Sequence, residues 1–343
     1  MVTTIADDGL IPPRVDFDVY GLSIGVTGNW PVVIDELALD FAWFRSQGGS
    51  PIDEVTVEVA RQAPDFDRFG DVPAAFVTPR NVVYQQDDRT IVDYFGRAVS
   101  VLDRSSGRLL VQGEDKHLVH EAAYLFLLSR IGEHLDRRGL PRLHALGLVG
   151  AQGATAVLFP SGGGKSTLAL RALREDGVRL LSEDSPLIDR RGRVHPFPLR
   201  IGVNATDAES LPEHQVRRLE RMEFHPKLAL ELSAFVDRVE PNPQPLRHLV
   251  IGRRTLGRDA RLERIPRRAA VTTLLREAVV GVGLYQGMEF VLQRGPGDVL
   301  SHAGIGAARA LSCAACLRHA DVWRLTVGRD FERNWQSLVP LLR

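Results

Sequence analysis

The sequence predicts an α/β protein whose N-terminal part is rich in β-structure, and three observations lead there. An apolar run, TAVLF at 155–159, meets a glycine-rich turn and then a helix-like pattern, KSTLALRAL at 165–173. A second short apolar strand, VRLLSED at 178–184, follows, completing a strand–loop–helix–strand series typical of a mostly buried sheet. Before residue 110, segments such as VTVEVA (55–60) alternate apolar and polar residues, the period of a half-buried strand.

Taken in order, residues 1–110 read as an antiparallel sheet punctuated by Pro51, Pro64, Pro73 and Pro79. Within them AVSVLDRSSGRLLVQG (98–113) predicts a hairpin with Gly107 in its turn, and Asp87-Asp88 a hairpin tip. Residues 116–138 predict a helix that is apolar nearly all round at its centre and so buried, ended by Gly139 and Pro141. HALGLVG (144–150) and TAVLF predict two strands joined by a glycine-containing turn. Residues 206–222 predict a helix capped by Thr206 or Asp207, and EPNPQP (240–245) a connector. LVI (249–251) predicts a short strand, 269–282 and about 305–319 helices, VWRLTV (322–327) a strand, and the C-terminus a last helix. The expected division is 1–115 for the β-rich domain and 116–343 for the domain that carries the glycine loop.

Composition narrows the classes. With 343 residues, a formal net charge of +0 and 25% charged residues, nothing in the overall field draws the chain to nucleic acid or a membrane surface. Two cysteines make no disulfide framework. No secretory pattern is visible in MVTTIADDGL, and AAYLFLL (122–128) is far short of a bilayer span. A cytoplasmic location is the expectation. Of the 43 basic residues 40 are arginine, the lysines being Lys116, Lys165 and Lys227 alone. A lysine kept inside the glycine loop of such a chain points to a requirement for a compact, flexible point charge, which arginine's planar fork does not supply.

That loop, Phe159-Pro160-Ser161-Gly162-Gly163-Gly164-Lys165-Ser166-Thr167, matches the end of G-x-x-x-x-G-K-[ST] but has Phe159 at the first glycine position. Between a strand and a helix, successive backbone amides make a concave nest for phosphate oxygens, and the helix dipole favours the anion. Lys165 would reach the β- and γ-phosphates of ATP, and the Ser166 hydroxyl would ligate Mg²⁺. Glu183 and Asp184, at the end of the next strand, lie where α/β sheets bind ligands. One could hold the metal and one accept a proton from a substrate hydroxyl. Adjacent strand residues point to opposite faces, so only one is expected to face the phosphates unless the strand has already ended.

With these residues in view, the chain resembles the HPr kinase/phosphorylase group, bacterial serine kinases whose phosphate loop is related to that of phosphoenolpyruvate carboxykinases. The resemblance rests on Ser161, Gly162 and Gly164 to Ser166, on His144 placed 21 residues before Lys165, and on Arg179-Leu180-Leu181-Ser182-Glu183-Asp184 matching R-L-x-x-D-D; it covers roughly 142–205. It implies an ATP- and Mg²⁺-dependent kinase acting on a serine of a peptide or protein. Asp184 would then be the proton acceptor, Glu183 a metal ligand exchangeable with it in role, and His144 an orienting group. The family's Glu-Ile-Arg-Gly segment has a counterpart in Pro198 to Gly202, where Arg200 aligns and the glutamate does not. A later basic loop resembles Ile265-Pro266-Arg267-Arg268, whose arginines would either stabilise charge on the transferring group or form a solvated turn. Lys227 is a further candidate for phosphate or substrate. Kinases of this group are often multimers, so a homo-oligomer is an open expectation. Residues 1–110 do not resemble the classical N-terminal domain, which points to a divergent member with a different substrate, as in the peptide kinases of natural-product clusters. Two readings stay beside this one: a kinase of free serine or another small alcohol, and a nucleotide-sensing module that binds a partner through its β-rich domain. Cys313-Ala-Ala-Cys316 reads as close helix packing rather than a metal or redox site.

Overall fold

The computed structural model describes residues 12–46, 54–159, 163–222, 225–276 and 296–343, with backbone only for 296–304. The chain is mixed α/β and divides into two compact units: residues 1–127 with 221–223, and residues 128–220 with 224–343.

In the first unit β1 (Arg14–Val19) and β2 (Leu22–Gly28) form a hairpin, followed by α1 (Pro31–Asp40) and β3 (Val55–Arg61). The strands β4 (Ala74–Val77), β5 (Val82–Gln86), β6 (Arg89–Asp93), β7 (Ala98–Asp103) and β8 (Arg108–Gly113) complete one eight-stranded sheet of order β1-β2-β3-β8-β7-β6-β5-β4. The hairpin expected at 98–113 is β7–β8, and Asp87-Asp88 is the β5–β6 tip. The expectation of a purely antiparallel sheet is corrected: β3 lies parallel to both β2 and β8. For β2 and β3 the cause is α1, a crossover helix that lets the chain return in the same direction. Proline in its first turn starts it, and Val33, Ile34 and Leu37 give it a buried face. Phe41, just beyond α1, packs edge-on against Phe17 at 5.7 Å, and Asp40 is buried against His120 at 2.8 Å.

The helix expected at 116–138 is α2 (Lys116–Arg137); its C-terminal half belongs to the second unit. There follow β9 (Leu146–Gly150), β10 (Gly153–Leu158), α3 (Lys165–Ala172), β11 (Arg179–Ser182), β12 (Leu187–Ile188), β13 (Arg193–His195), β14 (Ile201–Val203), the single turn α4 (Ala205–Ala208), β15 (Val216–Leu219) and β16 (Lys227–Leu230). The C-terminal stretch adds β17 (Gln244–Arg254), β18 (Arg261–Arg264), α5 (Val271–Leu274), α6 (Pro296–His319), β19 (Asp321–Val327) and α7 (Phe331–Leu338). The main sheet has the order β11-β9-β10-β17-β13-β12, with β19 on β17 and β18 on β19; β14-β16-β15 form a small second sheet.

Three expectations are corrected here. Residues 206–222 are not one helix: Asn204, not Thr206 or Asp207, caps the one-turn α4 by accepting from the Asp207 amide, and Val216–Leu219 pair with Lys227–Leu230 as a strand. Pro212 interrupts the helical pattern between them. The strand at 249–251 is the centre of the eleven-residue β17, and the helix expected from 305 begins at Pro296. The helix expected over 269–282 opens as a 3₁₀ turn at Arg267–Ala270 and continues as α5; residues 277–282 lie outside the described residues. Leu143, Ala156, Leu158, Leu181, Leu249, Val322 and Cys316 lie in the core of the second unit. Among the described residues no helix is long and apolar enough to cross a membrane.

Candidate functional site

Sheet direction decides which residues meet. β9 is antiparallel to both β10 and β11, so β10 and β11 run the same way and their carboxyl ends share one edge of the sheet. The glycine loop leaves β10 at that edge, Glu183 and Asp184 follow β11 there, and His144 precedes the start of β9, between them. Crevices at the carboxyl ends of parallel strands are where α/β sheets bind ligands. Backbone bonds fix His144 beside the acids: the Ala145 amide donates to Asp184 O and the Leu143 amide to Pro186 O.

β11 has ended at Ser182, so Glu183 and Asp184 are not held to opposite faces. The Ser185 amide donates to Ser182 Oγ, closing a turn from which both carboxylates reach the loop. Ser166 Oγ donates to Glu183 Oε1 at 2.5 Å. Asp184 Oδ1 stands 3.1 Å from His144 Nδ1 and 3.5 Å from Lys165 Nζ. Lys165 is buried; its ammonium donates to His144 Nε2 at 2.8 Å and to Phe159 O at 3.2 Å. Since Nε2 accepts from lysine, the network assigns the imidazole proton to Nδ1, facing Asp184. Nδ1 forms no aligned hydrogen bond despite that 3.1 Å separation, so the pair is an electrostatic contact.

The two carboxylates are pushed apart. Burial, then the neighbouring Asp184 charge, raises Glu183 above the usual carboxylate range, against the opposing pull of Ser166, Lys227 and Lys165. Burial also raises Asp184, but His144 and Lys165 outweigh it and hold Asp184 below that range. Adjacent groups with opposed shifts are a recurrent basis for dividing roles between two acids.

Gly164 caps α3 at φ +102°, a left-handed conformation open to glycine and costly for other residues. Its side-chain-free cap offers no capping side chain to the first amides of α3, among them those of Ser166 and the half-buried Thr167. Gly163 is half-buried beside it; Ser161 and Gly162, named from the sequence, lie outside the described residues. Phe159, at the first-glycine position, is buried, and its ring lies on Gly252, where an added Cβ would come within 2.2 Å of it. This residue therefore serves the core with its ring and the site with its carbonyl.

The remaining candidates divide. Lys227 opens β16, and its side chain crosses Gly202 of β14 with its charge felt at Glu183. Arg200 is half-buried just ahead of β14. Arg267 and Arg268 are exposed and lie elsewhere. Leu158 is level with Ile251 of β17, and Ile251 with Arg324 of β19. Arg267 Nε donates to the carbonyl of Ala320, four residues before Arg324, roughly 13 Å back along the strand at ~3.3 Å per residue. The expected arginine clamp is not assembled at the loop. Sequence reading placed Gly202 in the Pro198–Gly202 segment but missed its contact with Lys227, which is visible only once β14 and β16 are paired. Cys313 and Cys316 are buried free thiols; burial pushes Cys313 up to about 11 and Cys316 higher still, as packing residues require.

Among the described residues no group of three or more His, Cys, Asp or Glu side chains is arranged to hold a metal ion. The hydroxyl of Ser166 and the carboxylate of Glu183 are hard oxygen donors in contact, a pair suited to Mg²⁺, which usually takes one or two carboxylates and completes its shell with water and phosphate oxygens. No family model matches the chain, and no curated protein matches it.

Proposed function

We propose that this protein is an HPr-kinase-like, P-loop-type kinase that transfers the γ-phosphoryl group of ATP to a serine hydroxyl in a peptide or protein. The observation that carries the reading is the meeting of Lys165, Ser166, Glu183, Asp184 and His144 at one sheet edge, from three separate segments. The amides of 163–167 cradle the terminal phosphates, and Lys165 exchanges its internal partners for phosphate oxygens. Ser166 and Glu183 hold Mg²⁺, which when bound neutralises developing charge on the phosphates.

Asp184, kept ionised, orients the acceptor hydroxyl. The hydroxyl oxygen bonds to the γ-phosphorus, its proton passes to Asp184, and the bond from the γ-phosphorus to the bridging oxygen breaks with its electron pair left on ADP. A weakly basic carboxylate suits a loose transition state, in which positioning matters more than proton abstraction. His144 steadies Asp184 through the electrostatic contact between its Nδ1 side and the carboxylate. A second reading, a nucleotide-sensing module, is favoured by Phe159 at the first-glycine position and by Pro198 to Gly202, which lacks the glutamate of the family's Glu-Ile-Arg-Gly segment.

The test is transfer of labelled γ-phosphate from Mg·ATP to a serine-containing peptide library, run beside free serine and simple alcohols. The kinase reading expects labelled peptide, with Asp184→Asn slower by about 10²–10⁴-fold while nucleotide still binds. Labelled small alcohols alone would reassign the acceptor. Binding of ATP without any ADP formed would replace the kinase by the sensor.

A further inference from the structure

With Arg267 and Arg268 at the far end of the strands, the cation brought toward the acidic pair from outside the loop is Lys227. Lys227 is exposed and begins β16, and β16 pairs with β14, which packs against α3, the helix that opens with Lys165 and Ser166. The lysine stem runs over Gly202: a Cβ added there would meet Lys227 Cε at 2.0 Å and Nζ at 2.1 Å. Position 202 is thus a notch in β14 that the lysine head occupies. The Phe197 amide donates to Leu181 O, which lays the segment leading into β14 beside β11, the strand that Glu183 follows, whereas Lys165 contacts Asp184. In a chain where arginine otherwise serves nearly every basic position, a narrow ammonium lies where a broad guanidinium fork would have to be fitted over the same notch.

We propose that Lys227, seated in the notch at Gly202, is a second phosphate-binding cation, reaching the terminal phosphates of the nucleotide from the Glu183 side while Lys165 reaches them from the Asp184 side. The inference rests on the phosphoryl-transfer reading and adds to it the charge stabilisation that the arginines do not supply. Two preorganised cations flanking the equatorial oxygens would stabilise the spreading negative charge of the transition state more than the ground state.

The experiment uses the full chain. Wild type is first titrated with Mg·ATP by calorimetry; no binding there overturns the kinase reading and this inference together. Given binding, Lys227→Ala is expected to lower kcat/KM by about 10²–10³-fold with an unchanged melting temperature. Gly202→Ala, which keeps the lysine but fills its notch, is expected to lower it in the same sense. Lys227→Cys treated with 2-bromoethylamine regains an ammonium and should regain activity, whereas iodoacetamide, which adds a neutral group, should not; Cys313 and Cys316 are buried and position 227 is exposed. Lys227→Ala within twofold of wild type, or equal rescue by the neutral reagent, overturns the inference alone.

Discussion

Lys165 Nζ donates to His144 Nε2 across 2.8 Å, so the lysine that would meet a phosphate is already engaged by a residue 21 positions earlier in the chain. Any anion entering the loop must compete with that contact and with Phe159 O and Asp184. The resting site is charge-compensated before a ligand arrives.

Replacing this lysine removes the cation at the centre of the network. Lys165→Ala is expected to reduce phosphate transfer by at least about 10²–10³-fold, and Lys165→Arg to fail similarly, because a planar fork cannot occupy a buried slot shaped for a point charge. A coupled assay for ADP measures both. Either variant at wild-type rate would remove Lys165 from the mechanism.

Ser166→Ala deletes the hydroxyl that touches Glu183. The expected result is a higher Mg²⁺ concentration for half-maximal rate, with transfer abolished in wild type by excess EDTA and restored by Mg²⁺. A Mg²⁺ titration of the two proteins reads this directly; superimposable curves would separate Ser166 from the metal.

The opposed carboxylates give stability an opposite pH dependence at neighbouring positions. Asp184 is lowered in the fold, so its contribution is fully present above its unfolded value of ~3.9 and is lost as pH falls through its folded value. Asp189, drawn down by His195 and Arg193 against burial, acts in the same direction. Glu183 is raised, so the fold is penalised as pH rises from ~4.3 through its folded value. Glu183→Gln should therefore melt higher than wild type at neutral pH, keep its amide oxygen as acceptor for Ser166, lose its advantage below pH ~4, and transfer phosphate more slowly. Thermal melts at several pH values test it, and a variant less stable than wild type at pH 7 would contradict the assignment.

How much of this was open to sequence reading varies by element. The β10–loop–α3 series, the β7–β8 hairpin and α2 are local, with apolar period and glycine placement agreeing. What escaped depends on partners distant in the chain. Val216–Leu219 sits among arginines and glutamates that favour a helix, and pairing with Lys227–Leu230 overrides that preference. The placement of Arg267 away from the loop follows from the antiparallel pairing of β18 with β19, which its own residues do not announce. By contrast α1 carried a readable signal, proline in the first turn before an apolar stripe, in a region whose alternating segments pointed to strands.

The second unit also contains a buried ion pair independent of the site: Arg309 Nε and Nη2 donate to the two carboxylate oxygens of Asp136 at 2.9 and 2.6 Å. Breaking it removes the carboxylate that accepts from both nitrogens of a buried guanidinium. Asp136→Ala is expected to cost about 3–5 kcal/mol, measured by denaturant unfolding; a change below about 1 kcal/mol would mean the pair is solvated.

The ring of Phe159 resting on Gly252 sets a limit on engineering this loop toward the common glycine-first pattern. Substituting glycine at 159 would excavate the hydrophobic layer under β17, at a penalty comparable to Phe→Ala truncations of about 3–5 kcal/mol, instead of widening the anion cup. In this chain the consensus letter and a filled layer beneath β17 work against each other.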